Sequence, residues 1–152
     1  MIAYEVYGRG PIRALALHGL FGGGQSFAPM LAGIDPDRWS LVMPDLRGYA
    51  QSHDAGGPYD MLTAAQDVLA VADELGWQQF ALIGHSMDGK IALRVACLAP
   101  SRVTRVAGLS ALWAAAVPFG ADALAFFRSS VDNIGARQAI IALSTGRRLP
   151  VA

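Results

Sequence analysis

Ile83-Gly84-His85-Ser86-Met87-Asp88-Gly89 joins an apolar run, Phe80-Ala81-Leu82-Ile83, to a helix-forming stretch that reaches Leu98. A serine at such a junction reads as strand, tight turn, helix, with the hydroxyl held out on the turn. Gly84 and Gly89 leave room where strand and helix crowd together. Two roles are open to Ser86: a nucleophile, or a helix cap whose oxygen accepts one of the first free N–H groups. In the first role the amide of Met87, on the first turn of the helix, points at a developing oxyanion and is helped by the helix dipole. A serine hydroxyl also needs a base to take its proton. The histidines are His18, His53 and His85, and none follows the serine.

Outward from this junction, apolar runs alternate with helical patterns. Ile2 to Tyr7 alternates apolar and polar and stops at Gly8-Arg9-Gly10-Pro11, a strand and a turn. Arg13 to Leu17 and Trp39 to Met43 are short buried-strand runs, with a short helix from Ser26 to Leu31 between them. The clearest helix runs from Asp60 to Leu75, where Leu62, Ala65, Leu69, Ala72 and Leu75 recur at three- to four-residue spacing until Gly76 stops it. Met87 to Leu98 is a second helix, and Val103 to Leu109 a further strand. Strands alternating with helices imply a parallel sheet with helices on both faces. After Trp113 the pattern turns helical, at Ala121 to Val131 and Ile134 to Leu143.

Two more segments sit at strand ends. His18-Gly19-Leu20-Phe21-Gly22-Gly23-Gly24 is a glycine-rich loop able to turn a backbone N–H toward the top of the sheet, and the amide of Leu20 is the one best placed. It lacks the lysine and spacing of a phosphate-binding loop, and no dinucleotide fingerprint is present. His18 is expected to make structural hydrogen bonds. In Pro44-Asp45-Leu46-Arg47-Gly48-Tyr49-Ala50-Gln51-Ser52, Asp45 and Arg47 are expected to tie the loop together by charge-assisted hydrogen bonds.

In this order and spacing the three segments resemble the α/β-hydrolase superfamily, over about residues 2 to 117. His18-Gly19 is similar to its oxyanion-loop motif, Asp45-x-Arg47-Gly48 to its D-x-R-G-x-G-x-S segment, and Gly84-His85-Ser86-Met87 to its G-H-S-M-G-G nucleophile elbow. The resemblance implies a partial α/β-hydrolase core over residues 1–117, without the later strands, and the start of a helical cap over 118–152. It implies Ser86 as nucleophile and the amides of Leu20 and Met87 as the oxyanion hole, with a carboxylic ester or lactone as substrate. The chain departs from the pattern at Asp88 and Ala50, where glycines are usual, and the triad acid and histidine cannot be placed. His53 is the one histidine outside the motifs, and nothing in the sequence carries its imidazole to Ser86.

Composition narrows the rest. The 152 residues are 53% apolar and 16% charged with a formal net charge of zero. That length is enough for one domain. No basic stripe favours nucleic acid, no metal cluster or cofactor site is expected, and the single Cys97 is expected as a small buried residue on its helix. No secretory signal is visible, and Val106 to Phe127, the one membrane-like stretch, is interrupted by Ser110, Pro118, Gly120 and Asp122. A cytoplasmic location follows as the expectation. Two functions stay open: a small-ester serine hydrolase, or a non-catalytic module of the same fold that binds a small apolar ligand or a partner. An open sheet edge would favour a homodimer.

Overall fold

The computed structural model describes residues 1–112 and 120–145. Five strands, β1 (Tyr4–Tyr7), β2 (Ile12–Leu17), β3 (Trp39–Pro44), β4 (Phe80–His85) and β5 (Val103–Leu109), form one sheet in the order β1-β3-β2-β4-β5. The pairs β2–β3, β2–β4 and β4–β5 are parallel, whereas β1 runs antiparallel to β3. The sheet is therefore mixed at one edge. Gly8 and Gly10 explain how: the turn after β1 passes so close to Pro36, Arg38 and Trp39 that a Cβ at either glycine would strike backbone.

β2 is the central strand. Ala14 to Leu17 is fully buried because both faces are covered there. On one face Leu15, Leu17, Val42, Phe80 and Leu82 meet the helices α2 (Met61–Glu74) and α3 (Asp88–Leu98). On the other, Ala14, Ala16, Leu41 and Met43 meet Phe27, Met30 and Leu31 from a 3-10 turn (Gly24–Phe27) and the short α1 (Ala28–Leu31).

α2 keeps the expected length. Asp60 caps it, accepting the Thr63 N–H at 2.7 Å. Gly76 leaves it in the left-handed region at φ +65°. Its buried face differs from the leucine stripe. Ala64, Ala65, Val68, Val71 and Ala72 turn inward, while Leu62 is exposed and Leu69 and Leu75 only half-buried. Small and β-branched side chains let α2 lie close against α3 and the sheet, which long leucines at those positions would prevent. Cys97 is exposed, not buried. The inward stripe of α3 is Ile91, Ala92 and Val95, and residue 97 lies on the far side of the helical wheel.

The chain divides into two compact units, Met1–Ala114 and Ala115–Ala152. The boundary expected between 117 and 118 falls outside the described residues. In the second unit α4 (Ala121–Ser129) and α5 (Ile134–Thr145) pack on each other, and Asn133 Oδ1 accepts the Ala136 N–H at 3.1 Å at the start of α5. No described helix is long and apolar enough to cross a membrane.

Candidate active site

β2, β3 and β4 are adjacent and parallel, so the segments that follow them leave the sheet at the same end. This is where ligands bind in open α/β sheets, and it brings the three sequence motifs together.

Ser86 sits directly after β4 with φ +53°. L-residues adopt this left-handed conformation only when the surroundings impose it. The surroundings are tight. A Cβ on Gly84 would lie 2.7 Å from the Gly89 Cα, and one on Gly89 2.5 Å from the Ala111 Cβ. The backbone of Ser86 is bonded at both ends to the segment leaving β5: its N–H donates to Leu109 O and its O accepts from Leu112 N, each at 2.9 Å. The hydroxyl does not cap α3. The N-cap position is Met87, which has no side-chain cap bond, and the Ser86 side chain is half-buried.

The glycine loop after β2 lies against this turn. A Cβ on Gly19 would come within 3.1 Å of the Ser86 Cβ and 2.8 Å of His85 Nδ1. Only glycine therefore brings the loop backbone this close. Neither the Leu20 N–H nor the Met87 N–H has a hydrogen-bond partner among the described residues.

His18 is buried, and both its ring nitrogens bond to backbone. Its Nε2 accepts the Leu46 N–H at 3.2 Å, so the single ring proton is on Nδ1, 2.9 Å from Gly19 O. Burial lowers its pKa and keeps the ring neutral. Asp45, also buried, accepts from Gly24 N at 2.6 Å and Gln51 N at 3.1 Å, joining the loops after β2 and β3. Arg47 grips Asp67 on α2 through two bonds, Nε–Oδ2 at 2.7 Å and Nη2–Oδ1 at 2.8 Å, and donates to Gly56 O. The expected tying of this loop is thus made by Asp45 and Arg47 acting on different partners.

Ala50 adopts φ +40°, where the pattern's glycine would be at ease. Asp88 occupies the other glycine position, and its carboxyl points inward. The side chain is fully buried, neither oxygen has a partner, and Oδ2 lies 3.8 Å from His18 Nδ1. Burial pushes its pKa up to about 7.

No histidine among the described residues hydrogen-bonds Ser86. Both nitrogens of His18 are engaged within the loops. His53 is exposed, with Nδ1 on Ala50 O at 2.8 Å and Nε2 3.2 Å from Asp54. It lines a hollow of about 660 Å³ with Phe21, Gln25, Asp45, Ala50 and Gln51, on the side of the glycine loop facing Asp45. His85 is the last residue of β4, and its side chain is exposed. No group of three metal-ligating side chains occurs among the described residues.

Comparison with known proteins agrees with this geometry. A family model for the alpha/beta hydrolase fold matches residues 15–137. The chain is 33% identical to the magnesium-chelatase 30 kDa subunit of Rhodobacter capsulatus over 144 residues, which is 83% of this chain and 49% of that protein. It is 34% identical to the serine hydrolase BPHL of Mus musculus over 107 residues, 68% of this chain and 37% of that one. Among solved structures, N-acyl homoserine lactonase AidH superposes with a TM-score of 0.66 at 29% identity, covering 72% of this chain and 41% of the lactonase. The chain thus spans about half or less of the length of the relatives it matches. With its elbow, glycine loop and aspartate loop assembled at one end of a mainly parallel sheet, this chain belongs to the α/β-hydrolase fold family.

Proposed function

We propose that Ser86 is the nucleophile of a serine hydrolase acting on small carboxylic esters or lactones. The observation that carries this reading is the strained, left-handed Ser86 against which the Gly19 loop packs, with the Leu20 and Met87 amides, in that loop and next after the serine, left without a partner among the described residues. Strain of this kind costs about 1–3 kcal/mol and is retained where it presents a reacting group.

In the reaction, Ser86 Oγ attacks the acyl carbonyl as a base removes its proton. The carbonyl oxygen gains charge between the Leu20 and Met87 amides, and the alcohol or ring oxygen leaves with a proton. Water then attacks the acyl-serine, freeing the acid and restoring the hydroxyl. Esterase and lactonase relatives support the substrate class. None of His18, His53 and His85 hydrogen-bonds Ser86 Oγ among the described residues, so the labelling experiment below also asks whether a base reaches this serine. The chemistry needs no metal or cofactor, and the cytoplasm is the proposed location.

The exposure of β5 among the described residues favours a second reading. Every residue of β5 after Val103 is exposed, including Val106 at 38% and Leu109 at 44%. A non-catalytic module that pairs this edge with another chain, a second copy included, would account for it.

Fluorophosphonate labelling of the chain, with Ser86→Ala as control, separates the two. Labelling that disappears in the variant supports an activated serine. A folded chain that resists the probe, yet elutes as a dimer, supports the binding module.

A further inference from the structure

We propose that Asp88 is a positioning residue, whose buried carboxyl acts through His18 on the peptide between Gly19 and Leu20. The oxyanion role of the Leu20 amide rests on the hydrolase reading above; the coupling of Asp88 to that amide does not.

The peptide unit itself supplies the link. Gly19 O accepts two bonds, from His18 Nδ1 at 2.9 Å and from Gly22 N at 3.0 Å. A peptide is planar and trans, so the Leu20 N–H points opposite to the Gly19 carbonyl. Whatever holds the carbonyl therefore aims the amide. Of the two donors, Gly22 is part of the loop's own turn, whereas His18 anchors the loop to the rest of the fold through Leu46.

Asp88 reaches this anchor. Its Oδ2 lies 3.8 Å from the Nδ1 that carries the ring's only proton, and neither of its oxygens is otherwise occupied. As a neutral acid it leaves the Nδ1 proton with Gly19. As a carboxylate it is a charged acceptor competing for the same proton, in a site too dry for water to screen it. Drawing the imidazole toward Asp88 loosens the hold on Gly19 O and frees the peptide to turn.

The other groups facing this pair do not take the role. Tyr49, from the loop after β3, lies edge-on to the His18 ring at 4.9 Å and has its own pKa raised by burial and by Asp88. Asp45 faces His18 with both oxygens already bonded, to Gly24 and Gln51. His85 also faces His18 electrostatically, but its side chain is exposed.

The test is NMR on the substrate-free chain, following the Asp88 carboxyl carbon, the His18 ring nitrogens and the amides of Gly19, Leu20 and Gly22 between about pH 5 and 9. The Leu20 amide is expected to shift with the Asp88 carboxyl, at one shared midpoint near 7. That shift is lost in Asp88→Asn, and in Asp88→Gly should the amide variant not fold. His85→Asn leaves it unchanged, which excludes the neighbouring imidazole. A Leu20 amide indifferent to the Asp88 titration in the parent chain overturns the proposal, as does an unchanged midpoint in a folded Asp88 variant. Co-titration without probe labelling would defeat the hydrolase reading and leave this coupling intact; labelling without co-titration would do the reverse.

Discussion

Replacing Asp88 by Asn tests the burial of the carboxyl through stability alone. In the unfolded chain this group titrates near its ordinary 3.8, and in the fold near 7. The folded state holds the proton more tightly, so stability from this site is fully present below about pH 4 and is lost as pH rises through about 7. At about 1.4 kcal/mol per pH unit, the interval from 3.8 to about 7 amounts to roughly 4 kcal/mol for this fully buried side chain. Asn is nearly isosteric with the neutral acid and cannot ionise. Near pH 4 the two proteins should therefore have similar stability, and near pH 8 the variant should be more stable by up to about 4 kcal/mol. Urea unfolding of both proteins at intervals across this range gives a difference curve from which titrating groups not coupled to Asp88 cancel. The reasoning fails if that curve is flat, or if the parent gains on the variant as pH rises.

Further outcomes rest on the backbone and the loops. Ala50→Gly should stabilise the fold by about 1 kcal/mol, as read by chemical denaturation, because it relieves a left-handed alanine. Gly84→Ala should cost about 1–3 kcal/mol, since its Cβ would meet backbone at Gly89, whereas Gly19→Ala meets side-chain atoms of His85 and Ser86. The second variant should lose more probe labelling than stability. Arg47→Lys should lower the thermal midpoint, because an ammonium cannot reproduce the two-bond grip on Asp67 while also reaching Gly56.

Much of the architecture was legible because its signals are local. The strand at 80–83, the capped helix from Asp60 to Gly76 and the glycine loop after His18 each declare themselves within a few residues. The three motifs were legible as a site because adjacent parallel strands carry them to one end. What escaped depends on neighbours distant in sequence. Nothing around Tyr4–Tyr7 says that β1 will run antiparallel, since its partner is β3 and the turn that reverses it is shaped by contacts with residues 36–39. The leucines of α2 outweigh its valines in hydrophobicity, yet close packing against α3 selects Val68 and Val71. The direction of the Asp88 carboxyl follows from the proximity of His18, seventy residues earlier in the chain. The roles of Leu20 and Met87 were suggested by the loop and the helix start as well as by resemblance, and their amides, without partners among the described residues, motivate the proposal made for them.

The two hydrogen bonds joining Ser86 to Leu109 and Leu112 have a consequence for local opening. They fasten the turn to the end of β5, a strand that pairs only with β4 among the described residues and has most of its residues exposed. Cooperative opening follows the weakest element in a unit. The Ser86 and Leu112 amides should therefore exchange with solvent at a common rate, faster than the amides of Leu15 and Leu17 in β2. Once that latch opens, the left-handed turn can relax. The lifetime of a strained serine is thus tied to how firmly β5 is held, and anything that clamps β5 would lengthen it without approaching the hydroxyl.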